Sequence, residues 1–408
     1  SSGSTTIGVG VDDRVSPAGA QARWVDSVGE GSASVEGPVL YIGQSASPWA
    51  LGMYARALLA QPDQRLPTLP GGEARIEAGE ILEMGEGDAR IPVRVFTLSG
   101  LSLAPSHFLM DQDGALFALG SPRFAIVREG YEAEANRIGD LMAELGRKRL
   151  ETFQQELAHR FEAPVRIRNV RVFEPGALGL SAPVDVVFHG RRISGVQPLG
   201  STPSAGEVLV DGEGGTLVPG LFEMHGHIGQ EAALLNIAAG VTSIRDMGND
   251  NDVLDVLVEG IEVGRVAGPR ITRAGFIEGR SPFNSNNGYL VGSLEEALEA
   301  VRWYAARGYG QVKLYNSMRP EWSVAAAAEA RRLGLRVSGH IPAFTNADAM
   351  IEAGYDELTH INQVMLGWVL GPEEDTRTLL RLTALKRLAD LDLQSPRVRR
   401  TMDAIVAR

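Results

Sequence analysis

The sequence predicts an α/β fold in which a parallel sheet follows a small all-β segment and an N-terminal α+β region. The first observation is a repeated unit between residues 217 and 362, in which a helical pattern stops at glycine and a short apolar strand follows. This order is typical of βαβ units, whose strands are parallel. The second is that histidines close several of these strands. The third is a change near Val165, where short strands with turn residues between them replace a long helical pattern.

Composition excludes several classes of function. The chain has 408 residues, 44% of them hydrophobic and 22% charged, which is ordinary for a globular protein of two or three domains. The formal charge of −12 argues against nucleic acids and anionic membranes as partners. Because cysteine is absent, disulfides, thiolate metal sites and cysteine nucleophiles are excluded. No apolar run approaches the ~20 residues of a membrane span, so we expect no membrane-spanning segment, and a homo-oligomer is left open.

The chain begins at Ser1 without a methionine. An exported, periplasmic protein that is processed after secretion would begin in this way, and a cytoplasmic protein with a trimmed start is the alternative.

Three regions are expected. Residues 1–160 are predicted to form an accessory α+β domain that ends in a long helix, residues 161–215 a small β-segment, and residues 216–408 the parallel α/β module. Within the last, Ser293 and Glu296 form a capping box and Pro320 opens the next helix. Six strands are predicted there, near residues 217–225, 241–247, 270–277, 311–315, 336–341 and 357–362.

The chemistry begins at the first of these strands. Alternate residues of a strand share a face, so His225 and His227 point the same way with Gly226 between them. Two imidazoles at a strand end are candidate metal ligands. In isolation, such a pair is about as often two polar residues that close a strand.

Three later strands contribute similar residues. Lys313 lies on the fourth, His340 ends the fifth and His360 ends the sixth. Parallel strands present their C-terminal ends at one mouth, so these side chains can converge with the first pair despite their separation in sequence. Each alone is more often structural, but five in order on successive strands indicate a site. The other histidines (His107, His159 and His189) lie outside this module, and His189 is interpreted as structural.

Lys313 needs a separate explanation, because an ammonium has donors and no lone pair for a metal. If the amine condenses with carbon dioxide, the resulting carbamate is in effect a long carboxylate that can bridge two metal ions.

From about Val165 to the end, the chain resembles the amidohydrolase superfamily. The motifs LVPGLFEMHGH, GVTSIRDMG, QVKLYNS, RVSGHIP and ELTHIN carry the resemblance. They are most similar to the binuclear metal-dependent branch that includes imidazolonepropionase-like proteins and Xaa-Pro dipeptidases. The resemblance implies a (β/α)8 TIM-type barrel, with six strands visible here, and a small β-sandwich whose first half is residues 165–215.

The same resemblance implies the site. His225 and His227 would bind one divalent metal ion, His340 and His360 a second, and carbamylated Lys313 would bridge the two and serve in catalysis. Zinc is the expected metal. Tyr315 and Asn316, which follow Lys313, are predicted to contact the substrate.

The sequence departs from the family after His360. The aspartate that the family uses at the end of strand eight has no counterpart, because only helical patterns follow. Residues 215–408 are also fewer than the ~250 of a typical barrel. We therefore expect that the chain lacks the C-terminal part of a longer protein, or that the remainder comes from elsewhere.

The predicted function is hydrolysis of an amide-type C–N bond, in a dipeptide, an N-acyl amino acid or a cyclic amide. An esterase, lactonase or phosphotriesterase with the same metals is an alternative, since the ligands do not name the bond. A barrel that lacks the strand-eight aspartate and is catalytically dead is the alternative from another class.

Overall fold

The computed structural model describes residues 14–18, 21–25, 29–43, 47–122 and 124–408. The start of the predicted accessory domain, residues 1–13, lies outside the described residues. The chain divides into two compact units, Ser1–Lys148 and Arg149–Arg408. In the described ranges, no helix combines the length and apolar character that a membrane crossing requires.

The first unit is built on two sheets. One is the antiparallel sheet β1-β2-β3 and the other is a seven-stranded sheet in the order β10-β9-β8-β7-β6-β5-β4. Helix α1 (Ala50–Leu59) packs on the larger sheet, and α2 (Ala135–Leu157) contains the boundary between the units. The strands are β1 (Arg14–Ala18), β2 (Gln21–Val25), β3 (Glu30–Ser34), β4 (Leu40–Tyr41), β5 (Arg65–Leu69), β6 (Glu73–Met84), β7 (Ile91–Ser99), β8 (Ser106–Asp111), β9 (Leu116–Ser121) and β10 (Phe124–Val127).

The second unit opens with a six-stranded sheet, where the sequence predicts the first half of a β-sandwich. Strand β11 is central: β12 and β13 pair with it antiparallel, while β15 and β16 pair with it parallel. The sheet is present as predicted, and its place in a sandwich stays a prediction. The strands are β11 (Val165–Glu174), β12 (Gly179–Leu180), β13 (Val184–His189), β14 (Arg192–Pro198), β15 (Val208–Asp211) and β16 (Thr216–Leu217).

The parallel α/β module comes next and contains all six predicted strands. They form one curled parallel sheet in chain order, β17-β18-β19-β21-β22-β23, and the short β20 also pairs with β19. The predicted parallel fold is therefore confirmed. The strands are β17 (Leu221–Gly226), β18 (Val241–Asp246), β19 (Arg270–Gly279), β20 (Tyr289–Val291), β21 (Gln311–Leu314), β22 (Arg336–Gly339) and β23 (Glu357–Leu358).

Helices connect these strands, and local signals set their ends. The Ser293 hydroxyl accepts a hydrogen bond from the Glu296 amide at 3.2 Å, as the predicted cap requires, and Pro320 begins its helix. The four helix-stopping glycines have positive φ between 74° and 103°, a region that only glycine enters without strain (Gly240, Gly308, Gly334 and Gly354). The helices are α3 (Gln230–Ala238), α4 (Asn251–Glu262), α5 (Leu294–Ala306), α6 (Pro320–Arg332), α7 (Ala347–Ala353), α8 (Ile361–Val369), α9 (Leu380–Thr383) and α10 (Pro396–Val406).

The central strands of the parallel sheet are buried, whereas side chains of the edge strand β17 are exposed. Val312 and Val337 on β21 and β22 are fully buried under α5 and α6. By contrast, Leu221 and Phe222 on β17 are 57% and 69% exposed, because β17 pairs only with β18 in the described part of the chain. Residues 359–408, all of which are described, form helices and loops without a further strand.

Candidate metal centre

The five residues that the resemblance assigns to metal binding meet at one end of the parallel sheet. The ring centroids of His225 and His360 lie 4.7 Å apart, those of His340 and His360 4.8 Å, and those of His225 and His227 5.5 Å. The Lys313 Nζ atom lies 3.2 Å from His225 Nε2. Residues up to 135 positions apart in sequence thus form one cluster at the C-terminal ends of the strands.

Gly226, between the first two histidines, allows β17 to pack closely against the neighbouring strand β18. A Cβ atom at this position would overlap the side chain of Ile244 on the neighbouring strand β18. The small residue between the histidines is therefore required by packing, and it keeps both imidazoles at the end of β17.

The ring of His227 is fixed through its Nδ1 atom, which lies 2.6 Å from the Gly248 carbonyl oxygen. A carbonyl can only accept, so Nδ1 carries the proton and the Nε2 lone pair is free. Asp246, which is fully buried, accepts hydrogen bonds from the amides of Ile228 and Gly248 at 2.8 and 2.9 Å. These bonds hold the turn that orients His227.

His340 is oriented by Asn316 in the same way. The Asn316 Nδ2 atom donates to the Thr376 carbonyl at 3.3 Å, so its Oδ1 atom faces His340 Nδ1 at 2.8 Å and accepts the ring proton. His340 Nε2 is buried, and no hydrogen-bond partner approaches it among the described residues. A buried polar atom without a partner is rare in a folded protein, and its lone pair is available to a ligand.

Lys313 is almost fully buried, at 1% exposure. Burial lowers the pKa of its amine to about 8, although the carboxylates of Asp246 and Glu357 oppose the shift. A neutral amine is the form that reacts with carbon dioxide. About half of the Lys313 side chains would be neutral at pH 8, compared with less than ~1% for an exposed lysine.

Burial favours the neutral form of three histidines of the cluster, His225, His340 and His360. Burial lowers the pKa of His225 to about 4, and the nearby Lys313 charge adds to this. The pKa of His340 lies well below its usual range, and that of His360 is also lowered, in both cases first because of burial. Neutral imidazole is the form that binds metals.

His360 is held in a strained backbone conformation. Its φ of +66° lies in the left-handed region, which costs a residue with a side chain ~1–3 kcal/mol. On β23, which precedes His360, Glu357 accepts two hydrogen bonds from Arg245 at 2.6 and 2.8 Å, and Arg245 also donates to the Met224 carbonyl. Strands β17, β18 and β23 are thereby tied together around the histidines.

The described side chains include no three His, Asp or Glu residues whose arrangement could hold a metal ion as it stands. The Lys313–His225 contact directs a lysine proton at a lone pair that a metal would need. The donor set nevertheless fits a divalent ion such as zinc, because it comprises four imidazoles, and those of His227 and His340 use Nδ1 for their hydrogen bonds and leave Nε2 for a ligand. A carbamate on Lys313 would remove the obstructing proton and add two oxygen ligands.

The residues predicted to contact substrate lie beside this cluster. The Tyr315 ring lies on His340, with centroids 3.9 Å apart, and burial raises the pKa of its hydroxyl. Asn316 is buried and uses both ends of its amide on protein partners, so in this structure it orients His340. Substrate contact by either residue stays a prediction.

Two charged residues near the mouth were missed by sequence reasoning. Glu278 is fully buried at the end of β19, and Arg381 lies on α9 close to the Tyr315 hydroxyl. The position of Glu278, one residue beyond the predicted strand, could have identified it as facing the mouth. No local signal marks Arg381, which stands among other basic residues of a helical pattern.

The remaining histidines have other surroundings. His107 lies in the first unit, with Nδ1 3.0 Å from the Thr97 hydroxyl, and the exposed His189 lies 3.2 Å from the Glu162 carbonyl. The contact of His189 agrees with the structural role predicted for it.

No protein-family model and no curated protein match this chain. Solved structures that resemble it include amidohydrolases, prolidases and related hydrolases. One is a Xaa-Pro dipeptidase with bound methionine in its active site, with 22% identity and a TM-score of 0.41 over 49% of this chain and 62% of that chain.

Two others are bottromycin amidohydrolase and phenylurea hydrolase B. The former has 17% identity and a TM-score of 0.41 over 52% of this chain and 48% of its own. The latter has 21% identity and a TM-score of 0.39 over 50% of this chain and 60% of its own. The chain thus spans less than two thirds of the length of these three structures.

Proposed function

We propose that this protein is a metal-dependent hydrolase of an amide-type C–N bond, with His225, His227, Lys313, His340 and His360 as its metal ligands. One observation carries the proposal. At the mouth of a parallel sheet, four imidazoles lie around a buried lysine whose pKa is lowered to about 8.

Residues of this chain orient the candidate metal ligands and exclude bulk water from part of the site. Gly248 and Asn316 each hold a ring proton at Nδ1 and so present the Nε2 atoms of His227 and His340 to the site. Lys313 and His340 are 1% and 3% exposed, so the surrounding residues exclude bulk water from this part of the site. Where water is excluded, the effective dielectric constant is lower, and each electrostatic contact with a bound substrate is therefore stronger.

Divalent metal ions bound by these residues would lower the pKa of a water molecule and polarise a scissile carbonyl. The substrate class remains that predicted from the sequence: a dipeptide, an N-acyl amino acid or a cyclic amide. Lys313 would act as a carbamate, with its charge neutralising part of the charge of the ions.

The test is hydrolysis by protein purified without chelators and supplied with zinc and bicarbonate. Dipeptides, N-acetyl amino acids and hydantoins are offered, each with a matched ester or lactone, and product release is followed by chromatography. We expect amide hydrolysis that a chelator abolishes and zinc restores. Hydrolysis of the esters alone would favour the esterase alternative, and metal-loaded protein that cleaves neither set would be the catalytically dead barrel.

A further inference from the structure

The segment after α8 brings an arginine to the mouth of the site. Within it, the Thr376 carbonyl accepts a hydrogen bond from Asn316, and the Arg381 amide donates to the Thr378 carbonyl at 3.2 Å. Helix α9 follows, and its half-buried Arg381 lies close enough to Tyr315 and His340 for its charge to act on both. Arg381 is thus beside the candidate metal centre.

The charge of Arg381 is not balanced by an acid. Two other arginines of the segment are each paired twice: Arg377 with Asp375 at 2.9 and 2.8 Å, and Arg387 with Glu374 at 2.8 Å in both contacts. Across the described ranges, by contrast, no carboxylate lies within ion-pair distance of the Arg381 guanidinium.

The acids of the neighbouring site are committed elsewhere. Glu357 is paired with Arg245, and Asp246 accepts the backbone amides of Ile228 and Gly248. Glu278, whose charge also acts on the Tyr315 hydroxyl, accepts the backbone amides of Gly279 and Ser317 at 2.9 and 2.7 Å. An uncompensated, half-buried cation beside neutral imidazoles favours an anionic ligand, and a guanidinium presents two parallel N–H groups that match a carboxylate.

We infer that Arg381, together with the Tyr315 hydroxyl, binds a carboxylate group of the substrate and so positions the scissile amide at the metal centre. The inference rests on the proposed function and narrows its substrate class to compounds with a free carboxylate next to the amide, such as dipeptides and N-acyl amino acids. Neutral amides and ureas would lack this contact. Arg381 is a positioning residue, because it holds the substrate away from the reacting atoms.

The test compares each acid with its own neutral derivative. N-acetyl amino acids and the primary amides of the same compounds are used as probes, and acetate release is measured for hydrolysis. Calorimetric binding to the zinc-loaded protein is measured in parallel. Arg381→Met should raise KM and Kd for the acids ~10- to 100-fold, with kcat changed much less, and leave the primary amides unaffected. Arg381→Lys should retain part of the preference, since it keeps the charge without the planar pair of donors.

Arg399→Met is the matched control, because Arg399 is an exposed arginine whose guanidinium donates to Gln394. It should behave as the wild type. A wild-type protein that does not prefer acids over primary amides, in binding or in hydrolysis, would overturn the inference, as would an Arg381→Met variant that keeps the preference. Acid-selective binding without acetate release supports the carboxylate site and counts against the proposed function, so the two can fail separately.

Discussion

Replacing Asn316 by leucine should weaken metal binding without removing any ligand. In the structure, Asn316 Oδ1 lies 2.8 Å from His340 Nδ1, and the two residues are 4% and 3% exposed. Leucine has nearly the same shape and no acceptor. The ring proton of His340 would then be left buried without a partner, or it would move to Nε2 and occupy the lone pair that a metal needs.

Both outcomes cost a similar free energy. A buried, unsatisfied donor costs ~1–3 kcal/mol, and the loss of an orienting partner of a metal-binding histidine typically lowers metal affinity ~10- to 100-fold, or ~1.4–2.7 kcal/mol. We therefore expect the Kd for zinc to rise by this factor in Asn316→Leu. Asn316→Asp, which keeps an acceptor facing His340, should bind zinc nearly as tightly as the wild type.

The assay is a zinc titration in competition with a chromophoric chelator of known affinity. The control is Asn236→Leu, which removes a helix amide that donates to the Ala232 carbonyl of its own helix. Circular dichroism checks that each variant is folded. An Asn316→Leu variant with wild-type zinc affinity would refute the orienting role, and equal losses in Asn316→Leu and Asn236→Leu would show a general effect on folding.

Two further predictions concern buried titratable groups. Lys313→Ala should be inactive and regain part of its activity when acetate or propionate is added with zinc, whereas the exposed Lys386→Ala should be unaffected; full activity of Lys313→Ala would exclude a bridging role. Burial raises the pKa of Glu278 from 4.5 to about 7, so the folded protein holds this proton more tightly than the unfolded chain does. Its contribution to the free energy of unfolding should therefore fall by about 3 kcal/mol as pH rises from 4.5 to 7. Glu278→Gln should remove this part of the pH dependence in urea unfolding, and an unchanged dependence would contradict the assignment.

The strand positions were predictable because glycine stops and apolar runs are local signals. Six strands and the cap at Ser293 occur where those signals are. The clustering of the histidines was also predictable, because parallel order alone places strand ends at one mouth. The segment after His360 has a helical pattern in the sequence, and helices are found there.

The orienting contacts could not be predicted from sequence. Asn316 reaches His340 across 24 positions, and the Gly248 carbonyl reaches His227 through a turn whose shape depends on the buried Asp246. The left-handed backbone of His360 likewise gives no signal in the sequence. Such features depend on tertiary packing, which overrides the local preferences that a sequence displays.

The central claim is that His225 and the residues around it bind divalent metal, and elemental analysis tests this most directly. The wild-type protein and the His225→Ala and His107→Ala variants are purified without chelators, and the metal content per chain is measured by plasma mass spectrometry. We predict two divalent ions per chain in the wild type and in His107→Ala, and a loss of metal in His225→Ala. Fewer than one ion per wild-type chain, or equal metal content in His225→Ala and the wild type, would contradict the proposed centre.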